Sequence, residues 1–151
     1  MSVNPEHVRV DRTEWRDREI SLRHRQWGAD CPAVDLDLLL VEYNVGRPVA
    51  LIEYKHFKAR EPIMTHPTYR ALSELATTSC LPFLVAFYWP NNWAFRIYPV
   101  NEYAKRHYED CENMTEHEYV ARLYKLRRLK LTETISGGLN TERPPEAEIT
   151  W

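Results

Sequence analysis

Three charged residues, Asp37, Glu53 and Lys55, lie at the ends of two apolar segments and could bind a metal ion together. The second segment, residues 51–55, reads LIEYK. Because alternate side chains of a strand share a face, Glu53 and Lys55 would point to one side and Tyr54 to the other. Charged groups at the end of buried strands carry a desolvation cost, which metal binding or mutual pairing offsets. The pattern therefore indicates either a metal site or a set of paired charges.

A hairpin would bring the two segments together, since the loop NVGRP between them contains the Gly and Pro that are typical of turns. We expect Tyr43 to lie opposite Val49. That register places Asp37 opposite Lys55, with Glu53 one diagonal step away at a Cβ separation of about 7–8 Å. Both carboxylates could then reach one divalent cation, and such oxygen-only ligands favour Mg²⁺ or Mn²⁺ over zinc.

Lys55 would lie beside that cation, where an amine can orient a water or stabilise charge that develops on a phosphate. The alternative is a cross-strand ion pair between Asp37 and Lys55 at an exposed sheet edge, with Glu53 solvated. The sequence leaves both interpretations open.

The surrounding sequence predicts an α/β fold with a mixed β-sheet flanked by helices, in the order α-β-β-α-β. Both faces of the first two strands are apolar, which favours interior strands. A helix between the second and third strands makes a crossover, so those two strands should be parallel. The fourth strand should return antiparallel after the turn at residues 90–92. The predicted elements are a helix at 11–26, strands at 36–43 and 49–55, a helix at 67–78, strands at 83–89 and 93–100, and a helix at 115–131.

One acidic residue of the first predicted helix, Glu19, shares a face with Trp15 and Leu22 at helical spacing. A carboxylate on an apolar face is a candidate site residue. The alternative is that Glu19 pairs with Arg23, one helical turn further on, at the rim of the fold.

This combination of motif and element order resembles the PD-(D/E)xK nucleases, also called the restriction-endonuclease-like superfamily. Its members have an acidic residue in one strand, a variable hairpin, Glu-x-Lys in the next strand, and then a helix and another strand. Here the corresponding residues are Asp37, the NVGRP hairpin and Glu53-Tyr54-Lys55, and the resemblance spans roughly residues 12–98.

The resemblance implies Mg²⁺- or Mn²⁺-dependent hydrolysis of DNA phosphodiester bonds by an endonuclease, with selectivity for the structure of the DNA as one possibility. Asp37 and Glu53 would hold the metal, Lys55 would position or activate the attacking water, and Glu19 would match the helix carboxylate found in many members. The chain departs from the simplest motif because Leu36, and not a proline, precedes Asp37. Asp35 has the same strand parity and is a competing metal ligand.

Several cations could hold a DNA backbone, although all of them could equally be ordinary surface residues. One group flanks the proposed site in sequence, and another falls on one face of the last predicted helix, whose acidic start and basic end also suit the helix dipole. The candidates are Arg23, Arg25, Lys58 and Arg60 in the first group and Arg122, Lys125 and Arg128 in the second.

Length and composition narrow the class of protein. A chain of 151 residues predicts a single domain, which we place at residues 1–135, followed by a flexible tail at 136–151. The net charge of −2 argues against coating nucleic acid by bulk electrostatics. Three cysteines without CxxC spacing, no membrane-length apolar run and a charged N-terminus predict a reduced, cytoplasmic protein.

Other enzyme classes lack their motifs. The chain has no glycine-rich phosphate loop, no GxSxG elbow and no convincing zinc spacing among its histidines and cysteines. Two functions stay open: a metal-dependent deoxyribonuclease, with a homodimer as one possibility, and a non-catalytic module of the same fold that binds nucleic acid or a protein.

Overall fold

The computed structural model describes residues 19–20, 22–34 and 36–145. The chain divides into two compact units, residues 1–35 and 36–151. In the first unit, residues 19–20 and 22–25 are helical, and Gly28 follows with a φ of +110° that favours glycine. The part of the predicted first helix before residue 19 lies outside the described residues. The single domain expected at residues 1–135 stays a prediction.

The second unit is built on a five-stranded mixed sheet in the order β1-β2-β3-β4-β5. β2 and β3 are parallel, whereas the other three neighbouring pairs are antiparallel. The α/β class, the parallel crossover and the antiparallel return are therefore confirmed. The elements are β1 (Leu38–Glu42), β2 (Arg47–His56), α1 (Pro67–Thr78), β3 (Phe83–Trp89), β4 (Ala94–Pro99), α2 (Glu102–Lys105), β5 (Glu112–Met114), α3 (Glu116–Leu126) and α4 (Glu133–Ser136).

The first strand is an edge strand, so the prediction that it lies in the interior is wrong. β1 pairs only with β2 in this sheet, and Leu39 is 42% exposed. Apolar residues at both parities do not by themselves separate an edge from an interior strand. β2 does lie inside the sheet, as predicted, and β3 lies beside it in the interior.

The predicted hairpin register is also wrong. Leu38 pairs with Ile52 and Leu40 with Ala50, whereas Glu42 pairs with Arg47 across the turn at residues 43–46. The register shifts by one residue after Leu40, as in a β-bulge. Tyr43 therefore lies in the turn instead of opposite Val49.

Each face of the sheet carries an apolar core, and α1 covers one of them. Its N-cap is His66, whose side chain accepts a hydrogen bond from the Thr68 N–H, and Pro67 starts the helix. Burial of a large apolar side chain stabilises the fold by about 1.5–3 kcal/mol. The α1 core contains Leu51, Tyr69, Leu72, Ala76, Phe83, Val85, Phe87, Trp89, Ala94 and Tyr98. The opposite core, beneath α3, contains Ala50, Ile52, Leu84, Ala86, Phe95, Ile97, Ala104, Tyr108, Met114 and Tyr119.

The last predicted helix forms but is shorter than expected. Its start is confirmed, because Thr115 and Glu118 make the reciprocal capping box. It ends at Leu126 instead of near residue 131, and Arg128 adopts a φ of +59°. The left-handed backbone at Arg128 stops the helix, and the sequence carries no glycine there to signal it.

The C-terminal segment makes specific contacts with α3 through Asn140 and Arg143. The His117 N–H donates to the Asn140 carbonyl, and the Arg143 guanidinium donates to Glu118 at 2.7 Å. The composition predicts a flexible tail from Ser136 onward. The hydrogen bonds of Asn140 and Arg143 lie within that segment and would be lost if it moved freely. In the described parts of the chain, none of the helices combines the length and apolarity needed to cross a bilayer.

Candidate functional site

The observed register brings the carboxylates of Asp37 and Glu53 together on the α1 face of the sheet. Leu38 pairs with Ile52, so continuing the pairing by one residue puts Asp37 opposite Glu53. In this position the Asp37 carboxylate raises the pKa of Glu53. The sequence predicted Lys55 opposite Asp37, and the difference arises from the turn and the bulge.

A backbone hydrogen bond fixes the position of Asp37. The Tyr54 N–H donates to the Asp37 Oδ2 atom at 3.1 Å. β1 begins at Leu38, so at this point the side chain of Asp37 takes the place of a strand carbonyl as the acceptor. The carboxylate is thereby held at the edge of the sheet beside Glu53.

Lys55 pairs with Glu53 on the same strand. The Lys55 Nζ atom lies 3.2 Å from the Glu53 Oε1 atom, and the Glu53 side chain is only 12% exposed. The ammonium also lies over the ring of Tyr69, 5.9 Å from its centroid. Tyr69 comes from α1, so the helix that follows the hairpin supports the amine. The ion pair therefore differs from the Asp37–Lys55 pair that the sequence suggested as the alternative to a metal site.

The electrostatics of the pair follow from this geometry. Burial raises the pKa of Glu53, the Lys55 hydrogen bond opposes that effect, and the charge of Asp37 adds to it, so the net pKa is raised. Burial would lower the pKa of Lys55, but Glu53 and Tyr69 together outweigh it and the net pKa is raised. Lys55 is thus an ammonium group at neutral pH, suited to donating hydrogen bonds and not to accepting a proton.

Tyr54 anchors the site from the opposite face of the sheet, as the strand alternation predicts. Its hydroxyl lies 2.7 Å from the hydroxyl of Tyr119, a residue of α3 that is 2% exposed. Its ring also meets Tyr88 and Phe95 at centroid separations of 6.5 and 6.4 Å. The residue between Glu53 and Lys55 is therefore held in the core, which limits movement of its two neighbours.

The donor set fits a hard divalent cation. Mg²⁺ binds through one or two carboxylates and completes its shell with water and phosphate oxygens. Asp37 and Glu53 supply two such carboxylates. Within residues 19–20, 22–34 and 36–145 no group of three His, Cys, Asp or Glu side chains could hold a metal, so a zinc site of the usual kind is not formed there. Asp35, the competing ligand, lies outside the described residues.

Glu19 lies in the first unit, on helical backbone. It is exposed, and so is Leu22, which is 50% exposed, so these two residues do not form the inward face that the sequence predicted. Trp15, the third residue of that face, is outside the described residues. Arg23 and Arg25 are exposed in the same unit, and Arg23 donates to the Gln26 side chain at 3.0 Å.

Most of the remaining candidate cations are exposed, whereas one of them forms an ion pair within the protein. Lys58 and Arg60 are exposed just after β2, close in sequence to Lys55. Arg122 is engaged with Glu112 at 3.1 Å and with the ring of Tyr108. The predicted basic face of the last helix is not formed, because its third member lies beyond the helix end; Lys125 and Arg128 are both exposed.

Two parts of the site were not recognised from the sequence. Tyr69 lies in the helix predicted at residues 67–78, but nothing in its sequence context points to Lys55. The backbone hydrogen bond from Tyr54 to Asp37 depends on where β1 begins, which alternation alone does not specify.

Comparisons of the chain with protein-family models, with curated proteins and with solved structures gave no match.

Proposed function

We propose that this protein is a metal-dependent deoxyribonuclease with a PD-(D/E)xK fold. It uses Asp37, Glu53 and Lys55 to hydrolyse the phosphodiester bonds of DNA. The observation that carries the proposal is the register that places Asp37 opposite Glu53, where the Asp37 charge raises the pKa of Glu53, with the Lys55 ammonium 3.2 Å from Glu53. Two neighbouring carboxylates repel each other unless a cation or a proton lies between them. The order β1, β2, α1, β3 also agrees with the core of that superfamily.

Each residue has a distinct part in this proposal. Asp37 and Glu53 hold Mg²⁺ or Mn²⁺, and the backbone N–H of Tyr54 orients Asp37. A metal held there would supply stabilisation of negative charge on the phosphate and would lower the pKa of a coordinated water. Lys55 donates hydrogen bonds to the water or to the phosphate, because its ion pair with Glu53 keeps it protonated. Lys58 and Arg60 lie just beyond the end of β2, where they can contact neighbouring phosphates.

Incubation with plasmid, branched and single-stranded DNA in Mg²⁺ or Mn²⁺ tests the proposal. The wild type should cleave at least one of these substrates, whereas Glu53→Gln and Lys55→Ala should each lose most of the activity. Glu133→Gln removes an exposed carboxylate of α4 and serves as the matched control, with activity unchanged. Equal cleavage by wild type, Glu53→Gln and Lys55→Ala would reject the assignment.

A second candidate is a non-catalytic module that binds nucleic acid or a protein on the same fold. The Glu53–Lys55 ion pair favours it, since the lysine already neutralises one of the two carboxylates without a metal. Calorimetric titration with Mg²⁺ separates the candidates. Heat of binding that disappears in Asp37→Asn supports the nuclease, whereas no binding with or without DNA supports the module.

A further inference from the structure

Three aromatic rings contact one another in a row at the end of the sheet where β2 and β3 finish. Trp93 packs on Tyr88 with ring centroids 6.0 Å apart and planes inclined by 22°, and Tyr88 meets His56 edge to face at 5.6 Å. We call Trp93, Tyr88 and His56 the aromatic ladder. Trp93 is 46% exposed, so much of the indole at the end of the ladder faces solvent.

The backbone holds Trp93 in this position at a cost. Its φ is +54°, in the left-handed region that Gly and Asn adopt more readily than a bulky aromatic residue. The Trp93 N–H donates to the Trp89 carbonyl at 2.7 Å, and the Asn92 side chain accepts from the Ala94 N–H at 3.1 Å. A costly conformation that presents an exposed indole suggests a role other than packing, because strained residues concentrate at functional sites.

Positive charge adjoins the ladder. Residues 56–60 read HFKAR, with two exposed cations, Lys58 and Arg60, and no carboxylate. The Lys58 N–H donates to the His56 Nδ1 atom, so a neutral His56 carries its proton on Nε2 and can donate from there. Exposed aromatic rings next to cations are the usual means of binding single-stranded nucleic acid, with bases stacked on rings and phosphates held by charge.

The ladder is close to the candidate site along β2. His56 follows Lys55 directly and lies three residue steps along the strand from Glu53, a distance of about 10 Å at the usual rise per residue. The aromatic ladder lies on one face of the sheet, and Glu53 and Lys55 lie on the other. The ladder and these two charged residues both lie near the end of β2 at His56. Bases within a duplex are stacked on one another, so only an unpaired base can offer its face to Trp93.

We propose that the aromatic ladder stacks unpaired bases of single-stranded DNA that flank the phosphodiester held at Asp37 and Glu53. This inference rests on the proposed function and specifies its substrate class: DNA with a single-stranded segment next to the point of cleavage. Lys58 and Arg60 contact the phosphates of that segment.

Binding in EDTA tests the ladder without any cleavage. Fluorescence anisotropy would compare the full chain on a labelled oligothymidine of about twenty nucleotides, on an abasic strand of the same length and on a duplex. The wild type should bind oligothymidine at least about five-fold more tightly than the abasic strand, the lower end expected for one stacked base. Trp93→Gly should remove that difference, and glycine accepts the left-handed backbone so that the turn is kept.

Two further variants serve as controls. Tyr43→Ala removes another exposed aromatic residue, 75% exposed, in the turn at the opposite end of β2, and should bind oligothymidine like the wild type. Lys58→Ala should weaken binding to oligothymidine and to the abasic strand by the same factor, since its contact is with phosphate.

The possible outcomes separate the two proposals. Unchanged oligothymidine binding by Trp93→Gly, or equal binding of the abasic strand by the wild type, overturns the ladder even if the chain is a nuclease. Base-dependent binding that Trp93→Gly abolishes supports the ladder, and it is expected to persist in Glu53→Gln even if no nuclease activity is found. Self-association that Trp93→Gly abolishes, with DNA binding unchanged, would assign the surface to a second copy and overturn the proposal.

Discussion

The hydroxyl pair of Tyr54 and Tyr119 should contribute measurably to stability while leaving the candidate site intact. The two oxygens are 2.7 Å apart, and Tyr119 is 2% exposed. Replacing Tyr119 by Phe removes one hydroxyl and leaves the Tyr54 hydroxyl without this partner, and Tyr54→Phe does the reverse. The ring packing against Phe95 is kept in both variants, so the change is confined to polar atoms.

The magnitude follows from the burial of the pair. A buried hydroxyl that loses its partner costs about 1–3 kcal/mol, whereas removal of both hydroxyls costs less than the sum of the two single changes. For a chain of 151 residues, each kcal/mol lowers Tm by about 2–4 °C, so either single variant should melt about 2–12 °C below wild type. The coupling free energy of the double-mutant cycle should be about 1–2 kcal/mol.

Urea unfolding followed by circular dichroism measures all four members of the cycle. Additive effects, with a coupling free energy below about 0.5 kcal/mol, would refute the reasoning. Mg²⁺ titration of Tyr54→Phe is the control for the site, because the Tyr54 N–H that orients Asp37 is unchanged. A lost or weakened metal signal in that variant would show that the hydroxyl pair does more than stabilise the sheet.

Three further predictions concern the same unit. Burial raises the pKa of Tyr54, Tyr108 and Tyr119, so above pH of about 10 the unfolded chain loses protons that the folded chain keeps, and stability falls by up to about 1.4 kcal/mol per pH unit for each tyrosine. Urea unfolding between neutral and alkaline pH should show a shallower decline for Tyr119→Phe; an identical slope would contradict this. Asn101→Ala removes four hydrogen bonds of a side chain that is 6% exposed and should cost about 2–4 kcal/mol in the same assay, and a loss below about 1 kcal/mol would contradict the network. Thr115→Ala breaks the capping box and should cost about 1 kcal/mol, whereas Thr115→Ser should restore most of it.

The sequence predicted best the elements whose ends are marked by proline. α1 and β3 have the predicted bounds, since Pro67 starts the helix and Pro82 and Pro90 flank an unbroken apolar strand. β5, with three residues, and the short helices α2 and α4 were missed because they are too short to show a period.

The candidate site was predicted in composition but not in geometry. Glu53 and Lys55 share a face because alternation within one strand is local. The residue opposite Asp37 depends on the pairing between β1 and β2. A single extra residue in the bulge or in the turn can change that pairing, and the pattern within one strand does not reveal it. The support from Tyr69 depends on how α1 packs on the sheet, and no local pattern of the helix contains that information.

The shift in register after Leu40 separates the turn from the candidate site. Leu40 pairs with Ala50 and Val41 with Pro48, so Val49 is the additional residue on β2. Insertions or deletions in the exposed turn at residues 43–46 can be absorbed before this point, and the pairing next to Asp37 is then unaffected. Deletion of Val49 would remove the bulge and still leave Leu40 opposite Ala50, and so Asp37 opposite Glu53. A slip by one residue between Leu40 and Glu53 would instead bring Tyr54 opposite Asp37 and send the two carboxylates to opposite faces of the sheet. Homologous chains could therefore vary freely in hairpin length while the spacing between the bulge and Glu-x-Lys stays constant.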